Sequence, residues 1–97
     1  MARRKIIWSA RAKSEFKDIL EFYTLRNGNK NYSRKLSNQV KYLISFLSDH
    51  PYLGKASTKE SYRIIIRGHY EILYRVDEHI IISSVWDTRR NPEEKNF

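Results

Sequence analysis

Residues 62–76 read YRIIIRGHYEILYRV, and the side chains along both halves of this stretch follow a period of two. Such alternation is typical of β-strands, so the sequence predicts two strands joined at Gly68. On the first strand, Tyr62, Ile64 and Ile66 alternate with Arg63, Ile65 and Arg67; on the second, Tyr70, Ile72, Tyr74 and Val76 alternate with Glu71, Leu73, Arg75 and Asp77. We predict a three-residue loop, 67–69, with Gly68 at positive φ, because this loop length places both tyrosine-bearing sets on one face.

The segment that follows predicts a third strand. Asp77 and Glu78 form a turn, and residues 79–86 are apolar on both faces, which is typical of a strand inside a sheet with helices over at least one face. The polar stretch 87–92 ends this strand, and residues 91–97 are expected to be a flexible tail.

The chain before the hairpin predicts a short strand at residues 5–8 and two helices. Ser9 is placed to cap the first helix, and Gly28 suits its left-handed C-terminal cap. Apolar residues recur at steps of three and four along both helices: Ala12, Phe16, Ile19, Leu20 and Tyr23, then Tyr32, Leu36, Val40, Leu43, Ile44 and Leu47. Pro51 closes the second helix, and residues 49–59 form a polar loop. The prediction is one α+β domain over residues 1–97, in the order β-α-α-β-β-β, with a helical hairpin packed on a small antiparallel-rich sheet.

Composition limits the classes of function. The 97 residues carry a formal net charge of +8 and contain no cysteine. This charge favours nucleic acid, the ribosome or an acidic protein as partner, although a basic surface that merely keeps the protein soluble explains it equally well. The lack of cysteine suits the reducing cytoplasm. The apolar runs are too short for a signal peptide or a membrane span.

Motifs for cofactor and metal chemistry are missing. Residues 54–58 resemble the end of a phosphate-binding loop, but Asp49 stands where such a loop needs glycine. His50, His69 and His79 lack the spacing of metal ligands. We therefore expect no metal, no cofactor and no small-molecule substrate.

The arginines are the candidate functional residues. Arg63, Arg67 and Arg75 are predicted to project from the sheet face opposite the tyrosines, with Arg89 and Arg90 emerging where the last strand ends, so that several guanidinium groups converge on phosphates or on a partner protein. In the alternative interpretation these arginines form a solvated face, paired across strands with Glu71 and Asp77.

Several short motifs follow one another along the chain: Ile7-Trp8-Ser9, His50-Pro51-x-x-Gly54, Tyr62-Arg63, Tyr70-x-Ile72-x-Tyr74 and Val85-Trp86-Asp87-x-Arg89-x-Asn91-Pro92. Their order and spacing resemble those of the RelE/ParE toxins of type II toxin–antitoxin systems. The resemblance implies a helical hairpin on a curved antiparallel sheet, and a cognate antitoxin that wraps the toxin.

The resemblance also implies one of two mechanisms. A RelE-like toxin is a ribosome-dependent mRNA endoribonuclease, for which Arg63, Arg67, Glu71 and Arg89 would be the catalytic residues. That branch usually carries arginine at the position of Glu71 and a tyrosine or histidine near the C-terminus, where this chain has Lys95-Asn96-Phe97. A ParE-like toxin inhibits DNA gyrase without catalytic residues. The departures at these positions and the long helical hairpin favour the ParE-like mechanism, with Arg63, Arg75, Arg89 and Arg90 as partner-binding residues.

A third hypothesis is a non-toxic basic module that binds nucleic acid. An acidic, partly disordered antitoxin encoded beside this chain would argue against it.

Overall fold

The computed structural model describes residues 3–89, which form two helices on one five-stranded sheet. The elements are β1 (Ile6–Trp8), α1 (Ala10–Asn27), α2 (Asn31–Ser45), a 3₁₀ turn (Phe46–Ser48), β2 (Lys55–Ala56), β3 (Tyr62–Arg67), β4 (Tyr70–Val76) and β5 (Ile80–Asp87). The strand order is β1-β5-β4-β3-β2, in which β1 runs parallel to β5 and all other neighbours are antiparallel. The predicted α+β class with a helical hairpin on a sheet is confirmed.

The helix ends follow the predicted signals. The Ser9 side chain accepts a hydrogen bond from the Ala12 N–H at 3.0 Å, which satisfies one of the free donors at the start of α1. Gly28 ends α1 with φ of 72°, and its N–H donates to the Thr24 carbonyl. The left-handed conformation costs glycine nothing, and the chain reverses into α2 three residues later.

The core lies between the hairpin and one face of the sheet. Buried residues from both helices and the three long strands form a single cluster whose members include Phe16, Ile19, Leu36, Val40, Ile65, Ile72, Tyr74 and Ile82. Burying a large apolar side chain stabilises the fold by about 1.5–3 kcal/mol, so this cluster supplies most of the free energy that holds the helices on the sheet. As predicted from its apolar residues, β5 has a neighbour on each side, β1 and β4.

The turn between β3 and β4 differs from the prediction. Arg67 pairs with Tyr70, so the turn contains two residues, Gly68 and His69, and not three. Gly68 has φ of 58°, the positive value that a type II′ turn requires at its first central residue. Residues paired across antiparallel strands share a face, so Arg67 lies with Tyr70, and Arg63 lies with its partner Tyr74.

The structure also adds a strand within the predicted loop 49–59. Lys55 and Ala56 pair with Ile64 and Arg63 and form β2 at the edge of the sheet. Along residues 3–89, neither helix is apolar and long enough to cross a bilayer.

Candidate functional site

The sheet register separates the arginines that the sequence was expected to bring together. Arg63 and Arg67 lie on the face that the helices cover, because their partners Tyr74 and Tyr70 belong to the core. Arg75 pairs with Tyr62 and lies on the opposite face. The prediction that Arg63, Arg67 and Arg75 share the face opposite the tyrosines is therefore wrong, because a turn one residue shorter than predicted reverses one strand relative to the other.

Arg89 lies instead in a polar cluster where β4 begins and β5 ends. Its Nε and Nη2 atoms donate to Oδ1 and Oδ2 of Asp87 at 3.0 and 2.9 Å, a bidentate pair. The backbone N–H of Arg89 also donates to Oδ1, at 2.9 Å. The Asp87 residue is only 6% exposed, so the arginine provides the charge that this buried carboxylate needs.

Three tyrosines complete this cluster, which we call the Tyr–Arg cluster (Tyr23, Tyr32, Tyr70, Asp87 and Arg89). Tyr23 comes from α1, Tyr32 from α2 and Tyr70 from β4. The Arg89 guanidinium donates to the hydroxyls of Tyr23 and Tyr70 and lies 5.4 and 5.7 Å from their ring centres. The hydroxyls of Tyr32 and Tyr70 are 3.3 Å apart. The cluster thus ties both helices to the end of the sheet.

The environment of Tyr70 keeps its hydroxyl protonated. Burial raises the pKa of Tyr70 well above its usual value, and the hydrogen bond with Tyr32 and the charge of Asp87 act in the same direction. A phenol with a raised pKa stays protonated near neutral pH, so it cannot act there as a general base.

Arg63 takes part in a second polar contact set, at the loop 51–54. Its Nη1 donates to the Gly54 carbonyl at 2.6 Å, and its guanidinium lies 5.0 Å from the ring centre of Tyr52. The buried hydroxyl of Tyr74 accepts from the Gly54 N–H at 2.8 Å and donates to the Pro51 carbonyl at 2.9 Å. A Cβ on Gly54 would lie 2.7 Å from the Ile64 carbonyl oxygen, which explains the glycine of the His50-Pro51-x-x-Gly54 motif.

Among the remaining candidates, Glu71 and Arg75 lie apart from both sets. Glu71 pairs with Ile66 and Trp86 on the face opposite Tyr70, so the sheet separates it from the Tyr–Arg cluster. Arg75 lies 3.9 Å from Asp77, which follows it by two residues in the chain, so this ion pair is not the cross-strand pair of the alternative interpretation. Arg67 is exposed beside Tyr70. Arg90 and the tail, with Lys95-Asn96-Phe97, fall outside the described residues.

Two of the candidate arginines are engaged by oxygen atoms of the protein itself. Arg63 and Arg89 already hold carbonyl, carboxylate or hydroxyl oxygens of the protein itself, and Glu71 lies across the sheet from them. Within residues 3–89, no three His, Asp or Glu side chains come together as metal ligands would.

Sequence reasoning missed Tyr23 and Tyr32 as polar partners. Both were predicted on the apolar faces of the helices; Tyr23 is buried, whereas Tyr32 is 39% exposed. Helical periodicity predicts only the face on which a side chain lies, and it does not predict the partner of its hydroxyl. The Tyr23 hydroxyl bonds with Asp87, 64 residues away along the chain, and the Tyr32 hydroxyl with Tyr70, 38 residues away. The available signal was chemical, because a buried tyrosine normally has a partner for its hydroxyl.

Comparisons with known proteins extend this description. A family model described as the ParE toxin of type II toxin–antitoxin systems, parDE, matches residues 6–92. Among solved structures, the chromosomal ParDE toxin–antitoxin system from P. aeruginosa is similar with a TM-score of 0.73 and 17% identity over 86% of this chain and 94% of that chain.

A second similar structure is the RelBE2 toxin–antitoxin complex from Mycobacterium tuberculosis, with a TM-score of 0.62 and 21% identity over 86% of this chain and 95% of that chain. At these identities the likeness to both structures concerns the fold. No curated protein sequence matches significantly.

Proposed function

Because the chain belongs to the ParE toxin family of type II toxin–antitoxin systems, we propose that it arrests growth in the cytoplasm by binding DNA gyrase, without catalysing a reaction, until a cognate antitoxin neutralises it. The gyrase target is the step beyond the family assignment. It is supported by the internal contacts of Arg63 and Arg89, two of the residues that a nuclease would need for catalysis.

The observation that carries the proposal is the internal use of Arg89 and Arg63. An endoribonuclease would need these guanidinium groups to hold the scissile phosphate and the charge of the transition state. Arg89 is instead bound by both oxygens of Asp87, and Arg63 by the Gly54 carbonyl. Phosphate binding by Arg89 would compete with a carboxylate that is buried and has no other cation in the Tyr–Arg cluster.

The Tyr–Arg cluster also has no side chain suited to act as a general base. A general base works best with a pKa near the operating pH, and burial moves the pKa of Tyr70 upward, away from that range. Glu71, the acidic residue among the nuclease candidates, lies on the opposite face of the sheet. The ribosome-dependent nuclease therefore stays the second hypothesis, and the family assignment argues against the third, a non-toxic binding module.

The experiment is controlled expression in bacteria, with and without the antitoxin, and two readouts from the same culture. Plasmid topology on chloroquine gels reports gyrase activity, and primer extension on translated mRNAs reports codon-linked cuts. We expect topology to change without such cuts, and Arg67→Ala to remain as toxic as the wild type and as the control Lys35→Ala. Arg67 suits this test because it is an exposed nuclease candidate whose removal leaves the core intact.

The contrary result is equally clear. Codon-linked cuts that disappear in Arg67→Ala but persist in Lys35→Ala, with unchanged plasmid topology, would reject gyrase as the target and establish the nuclease.

A further inference from the structure

A pocket of about 350 Å³ lies at the start of β3, on the loop that joins β2 to β3. Its lining includes two tyrosine rings and two basic side chains, namely Tyr52, Tyr62, Lys59 and Arg63. Strand β3 spans about 17 Å from its first residue to its last, and the Tyr–Arg cluster lies at its far end, where Arg67 pairs with Tyr70. The pocket is therefore a site separate from that cluster.

Each of the two tyrosine rings has a cation over one face. The Lys59 Nζ atom lies 5.1 Å from the centre of the Tyr62 ring, and the Arg63 guanidinium lies 5.0 Å from the centre of the Tyr52 ring. Because Tyr52 is 61% exposed, its other face is open to solvent. An aromatic ring with a cation on one side and an open face on the other is a platform on which a nucleic-acid base stacks.

The basic side chains of the pocket have no carboxylate bound to them. Within residues 3–89, neither Lys59 nor Arg63 forms an ion pair. Glu60 is the acidic residue of the lining, so two positive charges against one leave the pocket positive. The net charge of the chain, +8, acts in the same direction. The pocket therefore attracts an anionic group such as a phosphate.

Backbone hydrogen bonds hold the loop 57–61 in shape at the rim of the pocket. The Tyr62 N–H donates to the Lys59 carbonyl at 3.2 Å, and the Val76 N–H donates to the Ser61 carbonyl at 3.2 Å. Ser61 has φ of 67°, a left-handed conformation that is uncommon outside glycine. Strained residues of this kind cluster at binding and active sites. This conformation is a second indication of a ligand site, independent of the chemistry of the lining.

We propose that this pocket binds one nucleotide of a single-stranded nucleic acid. The base stacks on the open face of Tyr52, and the phosphate lies beside the Lys59 ammonium. The volume of about 350 Å³ is at the lower end of the range for small-molecule pockets, about 300–1,000 Å³, which suits a single nucleotide. This binding site goes beyond the proposed inhibition of gyrase and does not depend on it.

Other ligands match the pocket less well. In a double-stranded nucleic acid the bases are stacked on one another, so their faces are not available to Tyr52. An acidic peptide neutralises Lys59, but its carboxylates leave the ring face in contact with water. A single strand offers a planar face and a negative charge within one nucleotide. DNA and RNA share this chemistry, so the tests use both.

The first test measures the affinity for a labelled oligonucleotide of about ten residues by fluorescence anisotropy, with oligothymidylate and oligouridylate in parallel. Tyr52→Leu removes the ring, Tyr52→Phe keeps it, and Tyr42→Leu is the matched control at a tyrosine that is 68% exposed on α2. We expect Tyr52→Leu to raise Kd about fivefold or more, and the other two variants to change it less than about twofold. If this loss occurs with one of the two oligonucleotides alone, that kind of strand is the ligand.

The second test isolates the phosphate contact. Lys59→Gln removes one positive charge from the pocket, and Lys35→Gln removes one from an exposed position on α2. Each phosphate that a protein neutralises on a single strand contributes about 0.7 to the slope of log Kd against log salt concentration. We expect Lys59→Gln to lower this slope by about 0.7 and Lys35→Gln to leave it unchanged.

The third test locates the strand on the protein. An oligonucleotide that carries iodouracil is cross-linked to the protein by ultraviolet light, and mass spectrometry identifies the modified residue. We expect the cross-link at Tyr52 or Tyr62. A cross-link at Tyr32 or Tyr70 would place the strand on the Tyr–Arg cluster and would overturn the inference.

Two further results would also overturn it. Equal effects of Tyr52→Leu and Tyr42→Leu, or equal salt slopes in Lys59→Gln and Lys35→Gln, would show that the strand binds through net charge alone. Circular dichroism of each variant checks that a loss of binding does not come from unfolding. Because these assays contain neither gyrase nor an antitoxin, their failure is distinguishable from a failure of the proposed target.

Discussion

Replacing Tyr74 with phenylalanine is expected to destabilise the protein by detaching the loop 51–54 from the sheet. Tyr74 is 0% exposed, and its hydroxyl bridges the Gly54 N–H and the Pro51 carbonyl. The phenyl ring keeps the apolar packing of the core, so the change removes the two hydrogen bonds and little else. The buried Gly54 N–H then has no acceptor at the position of the lost oxygen.

The magnitude follows from these two bonds. An unsatisfied buried donor costs about 1–3 kcal/mol, and a typical intramolecular hydrogen bond contributes about 0.5–1.5 kcal/mol net. We therefore expect a loss of about 2–3 kcal/mol in the free energy of unfolding. For a domain of this size, each kcal/mol corresponds to about 4–8 °C in Tm, so the melting temperature should fall by about 10 °C or more.

The assay is urea and thermal unfolding followed by circular dichroism, with Tyr42→Phe as the matched control. Tyr42 is 68% exposed, so the same loss of a hydroxyl should change stability by less than about 0.5 kcal/mol. Below its melting temperature the Tyr74→Phe protein should remain toxic, because the hydroxyl has a structural role. If Tyr74→Phe is as stable as Tyr42→Phe, the hydroxyl does not hold the loop and our explanation of the loop motif fails.

Two further predictions concern the polar contacts of the core. Glu15→Ala should lower the free energy of unfolding in urea by about 2 kcal/mol or more, because the Glu15 carboxylate accepts from the fully buried Ser84 hydroxyl at 2.8 Å and from the Val85 N–H at 3.2 Å. Glu21→Ala, at an exposed position, should change it by less than about 0.5 kcal/mol. Equal effects of the two changes would show that Glu15 does not stabilise the fold through these hydrogen bonds. Burial raises the pKa of both Tyr70 and Tyr74 in the folded state, so stability should be constant with respect to these groups below about pH 10 and fall above it, by about 1.4 kcal/mol per pH unit for each phenol. Absorbance at 295 nm should show both phenols ionising only as the chain unfolds, Tyr70→Phe should remove one of them from that step, and complete phenol ionisation in the folded protein would contradict the burial argument.

The features that sequence reasoning predicted correctly are the local ones. The first helix is determined by Ser9 at its start, by apolar residues at steps of three and four, and by Gly28 at its end, all within a span of twenty residues. Each of these signals acts through neighbours in the chain, so no knowledge of the tertiary structure is needed to interpret them. The same holds for the alternation that predicts β3 and β4.

The β3–β4 register required information that the local sequence lacks. A glycine at positive φ suits a two-residue or a three-residue connection. Because Ile64, Ile65 and Ile66 offer an apolar side chain to either face, the pattern of β3 does not select between them. The packing of Ile65 and Ile72 together beneath the helices selects the shorter turn, and this choice moves Arg63 and Arg67 onto the tyrosine side.

The residues of the Tyr–Arg cluster likewise come from distant parts of the chain. Asp87 and Arg89 were recognised as part of a motif, but their tyrosine partners come from α1, α2 and β4. Strand β2 was not predicted, because a strand of two residues is too short to show an alternating pattern. It is recognisable only from its pairing with β3.

The central claim is inhibition of gyrase without catalysis. It is tested most directly by the molar ratio of toxin to target at which the activity of the target is lost. Purified toxin would be titrated against a fixed amount of gyrase in a DNA supercoiling assay, and in parallel against ribosomes translating a defined mRNA. We predict that supercoiling falls as toxin approaches an equimolar ratio with gyrase, while the mRNA stays intact even with toxin in excess over ribosomes. Repeated mRNA cleavage by a small molar fraction of toxin, with supercoiling unaffected, would contradict the account.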